Sequence, residues 1–375
     1  MKALFQHIDW VLWGAVMLIT GAGLITMNSF ADDNFFFQRQ IIWITLGVLV
    51  FFVLSAFEFR FLRRTGVVMG LFAGAVGILG ILFMIGSVFM GAQSWFDLGA
   101  FAIQPSDPAK LVIIILLAKY FSRRHVEIAH VKHIIVSGAY AFIIFLLVFL
   151  QPDFGSAIII GAIWFGMVMV SGISKKHLLA VLLLGLVSGL GLWLFVFEDY
   201  QKERILTFLN PYTDIQGAGY NAYQSTVAVG SGQILGKGIG YGTQSKLQFL
   251  PEYETDFIFA AFAEEWGFIG VALLLLLYGV VIWRILRIAR HGLTNFEILF
   301  GAGVAIMFMS HIAIHIGMNI GVLPVTGTTI PFMSYGGSHL MTEFAALGML
   351  MGMRKYARTV SRDTIGREVD VEVRD

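Results

Sequence analysis

Ten apolar runs recur along this chain, most of them long enough to cross a bilayer, and they leave it little choice of fold. They fall near residues 8–28, 40–57, 66–88, 108–121, 134–150, 156–171, 177–197, 257–281, 296–317 and 334–353. In hydrocarbon every backbone N–H and C=O must find a partner within the chain, so such runs become helices. The expected fold class is therefore an all-α polytopic membrane protein with about ten transmembrane helices. The run at 108–121 is short, so it either tilts or is partly re-entrant. Residues 10–28 read as a first membrane helix, because no small-residue cleavage site precedes Asp32 and Asp33. There is no cysteine, which excludes disulfides, thiolate chemistry and Cys-type metal sites.

Charge sets the orientation. The net charge is only +1, yet all but six of the 25 Lys and Arg fall in alternate connections and at the two ends. The six exceptions are Arg39, Lys110, Lys202, Arg204, Lys237 and Lys246. Basic loops stay cytoplasmic, so both termini are expected inside. The inner connections are short basic clamps, whereas the outer side carries 89–107, 318–333 and above all 198–256, before the eighth helix. A connection that long is expected to be partly structured and functional. The reading is one polytopic membrane domain over 1–358, with 198–256 as its extracytoplasmic loop, and a cytoplasmic tail over 359–375.

Asp256 lies where that loop enters an apolar run, in Thr255-Asp-Phe-Ile-Phe259. A carboxylate at the rim of a low-dielectric region is a candidate functional group and suits general-base work. Arg39 and Lys110 are cations on the depleted side. Each serves either headgroup contact or the binding of a phosphorylated substrate. Asp107 and Lys110 are i, i+3 partners at a helix start, so part of their attraction is local. Asp153, in Gln151-Pro-Asp-Phe-Gly-Ser156, reads as an N-cap, or else as a group orienting Lys110 or Arg39.

The glycine-rich stretch 217–242 matches neither the P-loop nor the dinucleotide fingerprint. Its glycines instead let a re-entrant segment approach other backbone closely. Glu264 and Glu265 imply either a proton path or a polar contact between helices. His311 and His315 share a face at i, i+4 and lack a third ligand, which favours interhelical hydrogen bonding over zinc. Pro324, Gly327, Pro331, Gly336 and Gly337 break the chain before the last helix. Irregular backbone at that depth is tolerated mainly where it lines a cavity.

Together these motifs resemble the SEDS family of bacteria, the RodA/FtsW/SpoVE group of peptidoglycan glycan-strand polymerases. The matching segments are Phe37-Gln-Arg-Gln40, Gln104-Pro-Ser-Asp-Pro-Ala-Lys110, Gln151-Pro-Asp-Phe-Gly155 and Arg204-Ile-Leu-Thr-Phe-Leu-Asn-Pro211. They continue with Gly219-Tyr-Asn-Ala-Tyr-Gln-Ser225, Gly230-Ser-Gly232, Gly236-Lys-Gly238 and Phe249-Leu-Pro-Glu252. Next come Thr255 to Phe259, Ala263-Glu-Glu-Trp-Gly267, Met318 to Gly327 and Pro331 to Gly337. The likeness runs through almost the whole chain and is closest to the RodA, or elongation, branch. Asp107 stands where the family usually has Glu, and Tyr253-Glu254 replaces a polar-His pair.

The resemblance implies a peptidoglycan glycosyltransferase acting on lipid II at the outer leaflet of the bacterial inner membrane, for cell elongation and shape. On it, Asp256 falls on the aspartate essential for polymerisation, Arg39 and Lys110 on cavity-lining cations, and Asp153 on the outer turn motif. The implied partners are a class B penicillin-binding protein, lipid II, undecaprenyl pyrophosphate and the elongation machinery, with no nucleic acid. A divalent cation, Mg2+ or Mn2+, is the one cofactor to expect, without a dedicated metal site. The competing readings are a lipid II flippase or transporter, or the division or sporulation branch of the same family.

Overall fold

The computed structural model describes residues 6–29, 35–89, 92–97, 102–123, 131–195, 197, 202, 206–209, 219–247, 249–250 and 252–372. Parts of the Arg204–Pro211 motif, and all of 210–218, lie outside them, as do Lys2, Arg124 and Arg374.

Each of the ten expected spans corresponds to a helix. They are α1 (Trp10–Asn28), α2 (Phe35–Ala56), α3 (Thr65–Ile85), α4 (Ser106–Ser122), α5 (Val131–Leu150), α6 (Phe154–Val170) and α7 (Lys175–Phe195). Two shorter helices follow in the long outer segment, α8 (Tyr220–Ser231) and α9 (Thr243–Lys246), before α10 (Ile258–Arg290), α11 (Asn295–Asn319) and α12 (Gly337–Glu372). Seven of these, α1, α2, α3, α5, α7, α10 and α11, are long and apolar enough to cross a membrane unaided. The others are shorter or carry charge. The helix of α12 runs on through residues read as a tail.

One departure from an all-helical chain is a small antiparallel sheet in the connection between α3 and α4. Its strands are β1 (Ser87–Phe89), β2 (Ala92–Asp97) and β3 (Ala102–Ile103), in the order β1-β2-β3. Alternation is too brief in such short strands to be read from sequence.

The core is a bundle in which α12 lies along α2, α10 packs on α1 and α11, and α11 also packs on α4 and α6. Large side chains such as Phe51, Phe300, Phe308 and Phe344 are fully enclosed there. By contrast α7 buries none of its residues against the chain, so its leucines face outward as lipid-facing groups do.

The two ends of the bundle differ in chemistry. At one, Asp9 caps α1 by accepting from Leu12 N at 3.1 Å and also binds Arg284 of α10 and Arg354 of α12. The start of α1 and the middle of α12 therefore share an end. Arg63, Lys119 and Thr294 meet there as well, since Lys119 Nζ donates to Arg63 O and Arg63 Nη2 to Thr294 Oγ1. This is the end that loop charge assigns to the cytoplasm.

Candidate active site

At the other end, the chain between α11 and α12 is irregular, and side chains of the bundle supply the hydrogen bonds a helix would have made. His315 Nδ1 donates to Thr328 O at 2.6 Å and His311 Nδ1 to Thr329 O at 3.2 Å. Tyr278 Oη donates to Pro331 O at 2.7 Å. The histidine pair thus makes interhelical hydrogen bonds, as its spacing allowed. Phe332 has φ 62° and is buried, an unfavourable setting for a bulky residue. Its N–H is held by Glu343 Oε2 at 2.8 Å, and its ring packs edge-on against Phe308 and Phe344.

This corner gathers three distant segments. Gln40, next to Arg39, donates through Nε2 to Ser334 O at 3.0 Å. Ser334 Oγ donates to Thr255 O at 2.8 Å, and Tyr335 N to Glu254 O at 2.8 Å, the two residues immediately before Asp256. Ser338 Oγ donates to Asp107 Oδ2 at 2.7 Å. The starts of α2, α4 and α10 are therefore tied to one short stretch, residues 334–338.

Asp256 sits in the turn that opens α10, half-buried, with its Oδ2 3.5 Å from where a Cβ on Gly327 would lie. Gly327 has φ 71°, a backbone conformation that favours glycine. The main chain of Asp256 is fixed from two sides: its N–H donates to Glu252 O at 3.0 Å, and its C=O accepts from Asn319 Nδ2 at 2.9 Å. Asn319 is fully buried and also accepts, through Oδ1, from Ala260 N at 3.1 Å. That bond satisfies one of the free N–H groups at the start of α10. Leu250, Phe257, Ala260 and Ala228 form a small apolar cluster that seats the turn between α8 and α10. Burial, with the charge of Glu252 added, pushes the neighbouring Glu254 carboxyl up to about 6.

Lys110 is buried and bound to Asp107, Nζ to Oδ1 at 3.0 Å, so the local i, i+3 attraction is realised. Asp107 in turn faces His339 Nδ1 at 3.5 Å, and His339 Nε2 lies 2.8 Å from Glu343 Oε1. The result is a buried chain of ionisable side chains, Lys110–Asp107–His339–Glu343, beneath the corner. Arg39 is half-buried, with its guanidinium 4.2 Å from the Phe35 ring centroid, a cation–π contact. Among the described residues no carboxylate is paired with it in an ion pair.

Asp153 caps α6, its Oδ1 accepting from Ser156 N at 3.0 Å. Its Oδ2 accepts from Gln104 Nε2 at 2.7 Å and Ser106 Oγ at 3.1 Å, joining the α6 turn to the start of α4. The partners it orients are Gln104 and Ser106 rather than Lys110 or Arg39.

Glu264 and Glu265 hold the glycine-rich segment to α10. Glu264 Oε1 accepts from Lys237 Nζ at 2.6 Å and from Thr243 N at 2.9 Å; Glu265 Oε1 accepts from Ser29 Oγ at 2.5 Å and Gly240 N at 3.0 Å. The segment enters the helix itself. At Gly267, φ 65°, α10 is broken, and the carbonyls of Glu264 and Glu265 bond to Lys237 N and Gly238 N. Phe268 N and Ile269 N donate instead to Gln233 O and Ile234 O. Four bonds to the loop stand in for two of the helix. A Cβ on Gly236 would fall 2.1 Å from Glu265 O, and one on Gly267 2.2 Å from Gly236 N, so no other residue fits this crossing. The close approach expected of the glycines in 217–242 is made at Gly232 and Gly236, against the backbone of α10, while Gly230 faces open space.

The sequence reading overlooked Asn319, Ser334, Ser338, His339 and Glu343. His339 and Glu343 carry a usable signal, an ionisable i, i+4 pair inside an otherwise apolar run. Asn319 carries only its place at the end of α11.

Among the described residues no group of three His, Cys, Asp or Glu side chains could hold a metal ion. Mg2+ or Mn2+ would therefore be held chiefly by substrate phosphates and water rather than by a set of protein ligands.

Residues 2–359 match the family described as cell cycle protein, FtsW/RodA/SpoVE. The chain is 34% identical over 346 residues to peptidoglycan glycosyltransferase MrdB of Escherichia coli, covering 92% of each. It is 36% identical over 346 residues to stage V sporulation protein E of Bacillus subtilis, covering 92% of this chain and 94% of that one. Among solved structures, the rod shape determining protein RodA of Thermus thermophilus superposes with TM-score 0.70 at 30% identity, covering 92% of this chain and 96% of that one. A chain from a peptidoglycan synthase complex, solved for its coordination of polymerization and crosslinking, gives TM-score 0.80 at 32% identity, covering 93% and 98%. The chain is an integral membrane protein and belongs to the FtsW/RodA/SpoVE family.

Proposed function

We propose that this chain is a peptidoglycan glycosyltransferase of the elongation type, polymerising lipid II at the outer leaflet of the bacterial inner membrane. The observation that carries the reading is Asp256: a carboxylate held at the mouth of α10 by Asn319 and Glu252, within the corner that also ties down the starts of α2 and α4. A general base needs a fixed position more than an unusual residue. In the proposed step the 4-hydroxyl of an incoming lipid II N-acetylglucosamine attacks the anomeric carbon of the strand's terminal N-acetylmuramic acid. Its proton passes to Asp256, the new C–O bond forms with inversion, and undecaprenyl pyrophosphate leaves.

Arg39 presents a planar guanidinium fork suited to that pyrophosphate. Lys110, buried and paired with Asp107, steadies the start of α4 beneath the site. A divalent cation would supply further charge neutralisation on the pyrophosphate, held chiefly by substrate oxygens and water. The described part of the long outer segment packs over α10 and delivers Asp256, which makes it the natural contact for a class B penicillin-binding protein. The synthase complex among the structural relatives supports such a partner.

A flippase needs a polar route through the midplane. The pair that suggested one, Glu264 and Glu265, is engaged in holding the loop. Between Lys110 and the basic end, α4 and α11 present Ile113, Ile114, Leu117 and Val304, all at 0% exposure. Polymerisation of purified lipid II by the purified chain, with and without a penicillin-binding partner, tests the assignment. Strand product supports it; lipid II translocation in vesicles without any strand product defeats it.

A further inference from the structure

The basic end contains a cavity that the polymerase reading does not use. It has a volume of about 370 Å3 and is walled by Arg63, Lys119, Ser122, Thr294 and Asn295 among others. Three separate segments converge on it: the turn before α3, the last turn of α4, and the start of α11. The volume falls within the range of small-ligand sites, roughly 300–1,000 Å3, but the lining is polar rather than apolar.

Among the described residues its charge is unbalanced. Arg63 and Lys119 line it, and Arg123 is close enough to act on Lys119. Glu297 is the carboxylate paired here among the described residues, and both its oxygens are engaged: Oε1 with Arg63 Nη2 at 2.6 Å, Oε2 with Leu293 N at 2.8 Å. Lys119 Nζ donates to Arg63 O, and the ammonium carries two further protons. The start of α11 adds the positive end of a helix dipole, and Thr294 there accepts from Arg63 instead of capping the helix with its side chain. Keeping cytoplasmic loops inside requires only a number of basic residues near the span ends. It does not require three segments to converge on one open polar cleft.

We propose that this cavity is a phosphate-binding site that takes the headgroup of an anionic phospholipid from the cytoplasmic leaflet. Lys119 supplies a point charge, Arg63 a donor fork already held in place by Glu297, and Ser122 and Thr294 hydroxyls at the rim. The site lies at the ends of membrane helices, where headgroups are. It is distinct from the corner at Asp256, at the opposite end of α4.

Native mass spectrometry of the full-length protein in a neutral detergent tests it, with phosphatidylglycerol and phosphatidylcholine titrated in parallel and inorganic phosphate added in a third series. The wild type should retain one phosphatidylglycerol in preference to phosphatidylcholine. Lys119→Gln should weaken that binding about tenfold, the loss of a charge-assisted hydrogen bond. Lys176→Gln, a basic residue at the start of α7, should leave it unchanged. Ser122→Asp, which sets a carboxylate on the rim, should weaken it as well and serves if Lys119→Gln does not fold. Competition by inorganic phosphate would support the phosphate chemistry. Stabilisation by phosphate without any preference for phosphatidylglycerol would overturn the lipid source. Equal retention of both lipids with no response to phosphate, or unchanged binding in both variants, would overturn the site.

Discussion

Replacing Asn319 with alanine isolates what holds Asp256 in place, without touching the carboxylate. The side chain makes three hydrogen bonds below 3.2 Å, to Asp256 O, His315 O and Ala260 N, in a fully buried position. The substitution leaves Ala260 N and Asp256 O without that partner. An unsatisfied buried backbone group costs about 1–3 kcal/mol, so the two together bound the loss of stability at roughly 2–6 kcal/mol. The lower part of that range applies where water enters the space left behind. Chemistry should suffer differently. With its carbonyl released, Asp256 can move relative to the substrate hydroxyl, and a displacement of ~1 Å can cost ~10²-fold in rate. The assay is lipid II polymerisation by purified protein at a temperature well below its melting transition, beside a thermal melt in the same detergent. The expected result is a lowered melting temperature and a rate reduced by about two orders of magnitude while the protein remains folded. A lowered melting temperature with a wild-type rate would refute the positioning argument.

Lys110→Met should destabilise strongly, by about 3–5 kcal/mol, because it strands Asp107 in a buried site; Lys110→Met with Asp107→Leu should regain much of that, as thermal melts of single and double variants would establish. Gly267→Ala should loosen the clasp and lower polymerisation while membrane insertion stays intact, since its Cβ has no room against Gly236; fractionation and strand synthesis measured together check this. For Glu254 the folded carboxyl titrates at about 6 against an ordinary 4.5, so the folded state binds the proton more tightly. Its contribution is therefore favourable at low pH and declines as pH rises from about 4.5 to 6. Glu254→Gln should raise the melting temperature above pH 6, by at most about 2 kcal/mol in stability, and leave it unchanged below 4.5.

Much of the architecture was legible because lipid restricts it. Ten apolar runs became ten helices, and the basic residues of distant loops meet around Asp9 and Arg63. Helix ends were harder, since the break at Gly267 is made by a loop that replaces the helix's own bonds, a contact between residues far apart in sequence. The role of Asp153 as a cap could be read from its turn, because capping is local. Its second tie, to Gln104 and Ser106, could not. At the site, Asp256, Arg39, Lys110 and Asp107 stood out as charges in apolar surroundings. Asn319 and Ser334 did not, being uncharged residues whose importance lies in the backbone groups they meet. The small sheet after α3 was equally hidden, for its strands are too short to carry a period.

The central claim is that Asp256 takes the proton from the attacking hydroxyl. Asn at this position keeps the size and much of the hydrogen bonding of the carboxylate but cannot accept that proton. Polymerisation of lipid II by purified Asp256→Asn, at equal folded concentration and with the penicillin-binding partner present, should fall by ~10²–10⁴-fold, the usual loss for a general base. Strand synthesis by that variant at close to the wild-type rate would contradict the account.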